Sequence, residues 1–398
     1  MRVWAGIVTA ALPVVLFAEV VQFTVLPGEY WWGGTVGGGW QMPLGAGSAY
    51  VKDLRVEADG NQAAPLLLST KGRWVWCERP FVFEFVAGRL SVEADRQDAK
   101  VETGRTGETL RSAYLHCSKT YFPPQGTPKL EWFRNPIINT WASLSYMQKQ
   151  EDILELARGF KEIGVPPGVF MIDHGWHELP MGTWDFNLRF IPDPKGMADA
   201  VHAAHAHVIL SVWPSVGEKT KPYAELERAG GLFLPGRSSM PRASRIHNAY
   251  LPEAREIYWR HMTRLWAIGL DGWWLDTTEP EYRMTEREMD VPIGPGTFRE
   301  VRGAYPRMTV GSVAERTRKV SPDRRVFILT RSASAGQQAT GAHYWSGDTK
   351  STWETLKAQV PAALGYSLSG DPNWNCDLGG FIAKKGDAGF AERYVRFL

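Results

Sequence analysis

The chain is poor in cysteine. Its 398 residues hold three, Cys77, Cys117 and Cys376, far apart in sequence. That spacing excludes a disulfide scaffold and a thiolate zinc site. It also lacks an excess of either charge. There are 45 Lys+Arg against 43 Asp+Glu, a formal net charge of +2. With no Lys/Arg run to form a basic groove, a nucleic-acid binder that relies on counterion release is excluded. No charge-free apolar run, the N-terminal one included, is long enough to suggest a membrane span. With 44% hydrophobic and 22% charged residues the composition is that of a globular protein, and the length predicts two or three domains. What is abundant is tryptophan, 18 residues. Flat indole faces stack on sugar rings, and they also fill cores; composition alone does not separate the two.

Residues 1–18 resemble a short signal peptide, with one positive charge at Arg2 and a mostly apolar run over 3–17. Pro13 interrupts the run, and Leu16 stands where a small residue precedes a cleavage site after Ala18. The expectation is a secreted or periplasmic protein.

Residues 19–128 read as β structure. Alternation is visible in Gly72-Arg-Trp-Val-Trp-Cys-Glu and Phe81-Val-Phe-Glu-Phe-Val, and Gly and Pro clusters separate such runs. No amphipathic helix stands out there, so a β-sandwich is expected. From 129 to 398 strand and helix alternate. Apolar strands are predicted near 137–144, 168–174, 207–213, 272–276, 325–331, 343–346 and 366–369. Helical patterns lie between most of them, at 150–163, 194–206, 253–268, 309–320 and 352–364. Such alternation implies a parallel sheet with helices outside, a (β/α)8 TIM barrel one strand short, and an apparently truncated sequence is expected.

In such a barrel the chemistry lies at the C-terminal strand ends. Those ends carry Asp173, Trp213, Asp276, Arg331 and Asp348, with Asp377 just beyond the seventh, and Trp274 and Trp345 are close in sequence. Any one Asp there could be a helix cap. Several together suit glycoside cleavage, in which one carboxylate engages the anomeric carbon and a second acid protonates the leaving oxygen.

Leu270-Asp-Gly-Trp-Trp-Leu-Asp276-Thr-Thr-Glu279-Pro resembles the nucleophile motif of glycoside hydrolase family 31, with Trp274, Asp276 and Glu279 on its Trp-x-Asp-x-x-Glu pattern. The stretch from Arg331-Ser-Ala-Ser-Ala-Gly to His343-Tyr-Trp345-Ser-Gly-Asp348-Thr is similar to the family's acid/base segment, and Asp377-Leu-Gly-Gly-Phe to the stretch that follows. Upstream, Asp173, Trp184-Asp-Phe and Phe190-Ile-Pro-Asp-Pro-Lys-Gly-Met match its second βα unit. Tyr30-Trp-Trp-Gly-Gly and residues 65–85 look like its N-terminal, galactose-mutarotase-like β-sandwich. The resemblance implies a retaining exo-acting α-glycosidase, with Asp276 as nucleophile, Asp348 as acid/base and Glu279 steadying the strand end. Asp173, Trp213, Trp274, Arg331, Trp345 and Asp377 would bind the terminal sugar, whether xylose, glucose or galactose. The implied partner is an oligo- or polysaccharide; no cofactor, metal, nucleic acid or membrane is called for. The loop Met171-Ile-Asp173-His-Gly-Trp-His177-Glu departs from the commonest α-glucosidase form, which leaves sugar preference open. A histidine from the eighth βα unit, which binds the terminal sugar in this family, has no counterpart before Leu398. A non-catalytic carbohydrate-binding relative, or a transglycosylase or lyase using the same carboxylates, is the alternative.

Other signals point elsewhere. Asp173, His174 and His177, and His202, His205 and His207, could be read as metal ligands, but His205-Ala-His207 precedes the third strand and so belongs to the bottom of the barrel. Cys376 reads as a packed thiol, and the glycines at 33–39 lack the following helix of a phosphate loop.

Overall fold

A computed structural model describes residues 19–35, 40–55, 63–94, 100–126, 131–144, 147–235, 244–279, 286–325, 327–334, 336–371 and 373–383, with Gly389, Glu392, Arg393 and Arg396. The signal-like residues 1–18 lie outside them.

The N-terminal region is two four-stranded antiparallel sheets. One orders Glu19–Thr24, Arg89–Ala94, Phe81–Val86 and Tyr50–Asp53; the other orders Trp31–Thr35, Ala63–Ser69, Arg73–Trp76 and Glu102–Arg105. The period-2 pattern is the cause. Phe81, Phe83 and Phe85 turn inward and are fully buried, whereas Glu84 and Val86 face out. The inward rings meet Trp31, Leu67 and Val75 of the facing sheet. Each buried Phe contributes about 2 kcal/mol of transfer free energy. A two-residue turn, Ala87-Gly88, joins the two strands that end at Val86 and begin at Arg89. Both residues have positive φ, +49° and +75°, the handedness that matches strand twist.

One helix there, Leu110–Tyr121, corrects the sequence reading. Thr109 caps it reciprocally with Ser112. Its buried residues are Ala113, Cys117 and Ser118. Such small side chains leave almost no apolar stripe to read, yet they let the helix sit closely on Leu66, Leu68, Trp74 and Trp76.

The remainder is built on a seven-stranded parallel sheet in strict chain order. Its strands are Ile137–Asn139, Val169–Ile172, His207–Val212, Gly272–Leu275, Phe327–Thr330, His343–Trp345 and Trp374–Asn375. It is an incomplete TIM barrel. Both faces are covered, so the strands read as apolar runs. Val169, Met171, Ile209, Trp274, Leu329 and Trp345 fill the interior. The alternate residues Phe170, Ile172, Leu210, Trp273, Leu275 and Ile328 pack on the outer helices. Gly272 is required where the fourth strand meets the fifth, because a Cβ there would come within 2.1 Å of the Phe327 carbonyl oxygen.

Three further points differ from the sequence reading. The first strand is only Ile137–Asn139, and Asn139 caps a helical turn, Thr140–Ser143. The strand expected at 366–369 is the end of a helix, Trp353–Leu368, and the seventh strand follows it at Trp374–Asn375. Short apolar runs do not distinguish the two forms. After the third strand an antiparallel sheet of Ser215–Gly217, Leu232–Pro235 and Ser244–His247 is inserted before the helix Pro252–Trp266. Among the described residues no helix is long and apolar enough to cross a membrane.

Candidate active site

The parallel strands all end on one side, and the sequence-predicted polar residues gather there. Arg331, which follows the fifth strand, is the hub. Its Nε donates to Glu279 Oε1 at 2.8 Å, and its Nη2 lies 2.6 Å from the same oxygen. Its Nε is 3.6 Å from Asp276 Oδ1 and its Nη1 is 3.8 Å from Asp348 Oδ2. One guanidinium thus spans the ends of the fourth and sixth strands and faces both carboxylates. The two differ in access: the Asp276 side chain is 11% exposed, that of Asp348 43%. Asp276 Oδ1 also accepts from the Thr277 N–H at 2.7 Å. Thr277 holds a φ of +52°, a strained conformation for a β-branched residue, directly after the carboxylate it contacts.

Two more carboxylates share the mouth. Asp377, after the seventh strand, is pushed up to about 7, first by burial, then by the charges of Asp348 and Asp276, with Arg331 opposing. Asp173, buried after the second strand, is raised well above the usual carboxylate range, chiefly by burial and further by Asp276 and Asp348. The His174 N–H, donated to Asp173 Oδ1 at 2.5 Å, pulls the other way. Asp173 and Asp377 thus each feel the charges of both Asp276 and Asp348.

The aromatic residues line the same end. Trp274 and Trp345 meet edge to face with centroids 5.5 Å apart, at the top of the barrel interior. Trp213 lies over His174 at 4.9 Å. The buried indole N–H of Trp213 has no acceptor among the described residues, nor has that of Trp274. Asp173, Trp213, Trp274, Asp276, Glu279, Arg331, Trp345, Asp348 and Asp377 are all brought to one rim.

Sequence reasoning gave several neighbours no place in the sugar site. His174 and His177 are buried in this mouth, and Trp141 lies 6.5 Å from the His174 ring. Their adjacency to Asp173 was the only available signal. Thr140 and Gln148 carried no signal, yet they hold the Asp173 segment in place. Thr140 Oγ1 accepts from the Asp173 N–H at 3.0 Å and lies 2.9 Å from Gln148 Oε1, and Gln148 Nε2 donates to the His174 carbonyl at 3.3 Å. At the opposite, N-terminal edge, buried Asp271 meets His202 Nε2 at 2.8 Å, His207 Nδ1 at 3.4 Å and Arg324 Nη2 at 2.7 Å. That cluster is remote in the fold from the carboxylate rim.

Comparison with known proteins identifies the family of the barrel. The family model described as the glycosyl hydrolases family 31 TIM-barrel domain matches residues 137–398. The α-xylosidase of Saccharolobus solfataricus is 34% identical over 270 residues, covering 65% of this chain and 35% of that protein. An uncharacterized family 31 glucosidase, ORF2 of Pseudescherichia vulneris, is 27% identical over 296 residues, 73% of this chain and 55% of that protein. The chain thus spans about a third to just over half of these curated relatives. Among solved structures, a GH31 α-xylosidase from a soil metagenome, complexed with xylose, has a TM-score of 0.84 at 24% identity, covering 98% of this chain and 57% of that one. A Flavobacterium johnsoniae GH31 dextranase complexed with glucose has a TM-score of 0.83 at 19% identity, covering 96% of this chain and 49% of that one. These two likenesses are of fold.

Proposed function

Because the chain belongs to glycoside hydrolase family 31, we propose that it carries the catalytic site of a retaining, exo-acting α-glycosidase that releases a terminal α-linked xylose, glucose or galactose. The observation that carries the reading is the pair of carboxylates, Asp276 and Asp348, facing one guanidinium from the ends of the fourth and sixth strands.

In this reading Asp276 is the nucleophile. Its position, buried and fixed by the Thr277 N–H and Arg331, suits attack on the anomeric carbon. Asp348 is the acid/base. It is the more exposed of the two, as a group must be that protonates a departing aglycone oxygen and then takes a proton from incoming water. The first displacement breaks the glycosidic bond and forms an ester between the sugar and Asp276, with the proton of Asp348 leaving on the aglycone. The second breaks that ester by attack of water, whose proton returns to Asp348. Glu279 acts through Arg331 as a positioning residue. Asp173 and Asp377, both pushed toward the protonated form, are suited to donate hydrogen bonds to sugar hydroxyls, and Trp213, Trp274 and Trp345 supply apolar walls and indole donors.

The substrate would be an oligo- or polysaccharide with a free non-reducing end. The signal-like residues 1–18 support a secreted or periplasmic location. A panel of nitrophenyl α-xyloside, α-glucoside and α-galactoside tests the reading. Release of nitrophenol by the wild type, and its loss by three or more orders of magnitude in both Asp276→Asn and Asp348→Asn, is expected. Normal turnover in either variant overturns the assignment.

A further inference from the structure

The fourth and fifth barrel strands stop pairing at Leu275 and Thr330. Thr277, with its φ of +52°, then takes the chain out of strand conformation. Asp276, Glu279 and Arg331 all follow this last backbone pair. The ladder therefore does not hold Arg331 against the two carboxylates, and another link is needed.

Three hydroxyls supply it. Thr278 Oγ1 lies 2.8 Å from Thr330 Oγ1 and 2.6 Å from Ser332 Oγ, and these two are 3.2 Å apart. In a closed triangle each hydroxyl can donate once and accept once, which satisfies all three and lets the bonds strengthen one another. All three residues are 0% exposed, so bulk water does not compete. Thr278 Oγ1 is also 3.4 Å from the Leu275 carbonyl oxygen, and Gln337 Nε2 donates to the Ser332 carbonyl at 2.6 Å. The placement is specific. Thr278 stands between Asp276 and Glu279 in sequence, and Thr330 and Ser332 stand on either side of Arg331. One set of bonds thus joins the segment carrying two carboxylates to the segment carrying the cation they share. Across that join Arg331 Nε is 3.6 Å from Asp276 Oδ1 and 2.8 Å from Glu279 Oε1.

We propose that the Thr278–Thr330–Ser332 hydroxyl triangle sets the position of Arg331 against Asp276 for the first displacement. The three are positioning residues acting through the guanidinium. This deepens the reading of the mouth as a glycosidase site and rests on it. Opening the triangle shifts the nucleophile against its counter-charge, whereas Asp173, Asp377 and the indoles still hold the sugar. The loss therefore falls on kcat and spares KM.

Kinetics of nitrophenyl α-glycoside hydrolysis test it. Thr278→Val keeps the shape and removes the hydroxyl. Its kcat should fall roughly ten- to a hundred-fold, as misplacement of a reacting group by an ångström or less does, with KM within about three-fold of wild type. Thr278→Ser keeps the hydroxyl and should restore kcat. Ser332→Ala should cost kcat as well, but less than about two-fold more when added to Thr278→Val, because the triangle is already open. A purely structural role would lower the unfolding midpoint without this split or this non-additivity. Wild-type kcat in Thr278→Val, a Thr278→Ser as slow as Thr278→Val, or fully multiplicative losses overturn the inference. Should Thr278→Val fail to fold, Ser332→Ala, the smaller change, is compared with wild type in its place. Crystal structures of wild type and Ser332→Ala test the geometry without turnover. The Arg331–Asp276 separation should change by on the order of 0.5 Å, the tolerance of a catalytic arrangement, and an unchanged separation overturns the inference. Absence of turnover in the wild type overturns the glycosidase reading instead, and the crystallographic comparison then still decides whether the triangle positions Arg331.

Discussion

The Arg331–Glu279 pair allows stability and catalysis to be separated. Both side chains are nearly inaccessible, 6% and 1% exposed, and Arg331 contacts Glu279 Oε1 at 2.6 Å. Removing the guanidinium in Arg331→Met leaves a carboxylate buried with its counter-charge gone. Breaking a buried pair in this way costs roughly 3–5 kcal/mol. For a domain of this size, that is a fall in Tm of roughly 6–20 °C. The double variant Arg331→Met/Glu279→Gln removes the stranded charge and should recover most of the loss, because an apolar or neutral replacement of a buried pair is often close to neutral. Its activity should not recover, since Asp276 and Asp348 have lost the cation that faces both. Denaturant unfolding followed by the fluorescence of the 18 tryptophans, alongside aryl glycoside turnover, makes the comparison. A loss below about 1 kcal/mol in the single variant, or a double variant no more stable than the single, would refute the reasoning.

Three further outcomes are expected. Asp371, buried and pushed up to about 6 mainly by that burial, accepts from the Tyr366 hydroxyl at 2.8 Å. An acid with a raised pKa holds its proton longer in the folded state. Its contribution is therefore present below about pH 4 and lost as pH rises to about 6, on the order of 3 kcal/mol in all; unfolding midpoints of Asp371→Asn should lack that slope, and an identical slope in wild type and variant contradicts it. Thr140→Val keeps the shape but strands the Asp173 N–H, so a cost of roughly 1–3 kcal/mol and a rise in KM are expected, with Thr140→Ser retaining wild-type behaviour; equal KM values in all three proteins would remove Thr140 from the support of Asp173. Asp377→Asn should remove a titration near pH 7 from the pH profile of kcat/KM, and a profile that keeps that limb assigns it to another group.

How much of this was legible in the sequence depended on the physics behind each feature. The barrel strands were readable because burial on both faces writes continuous apolar runs such as Val169–Ile172 and Phe327–Thr330. The residues at their ends were readable because polar side chains directly after such runs stand out. The helix Leu110–Tyr121 was hidden because its contacts are made by small residues. The end of Trp353–Leu368 passed for a strand because Leu364-Gly-Tyr-Ser-Leu is short and apolar, and length is what separates the two forms. The inserted antiparallel sheet after the third strand has strands of only three or four residues, below what alternation can reveal. In the site, Asp276 and Asp348 stood out at strand ends and were singled out by the family motifs they resemble, but the bridging role of Arg331 could not be read, because residues 276, 279, 331 and 348 converge only through the register of neighbouring strands.

The central claim is that Asp276 attacks the anomeric carbon. A fluorinated α-glycosyl fluoride slows the second displacement and traps the ester, and peptide mass spectrometry then locates it. The account predicts one glycosyl unit on the peptide containing Asp276, with none in Asp276→Asn. A label on another carboxylate, or rapid turnover with no trapped ester, would contradict it.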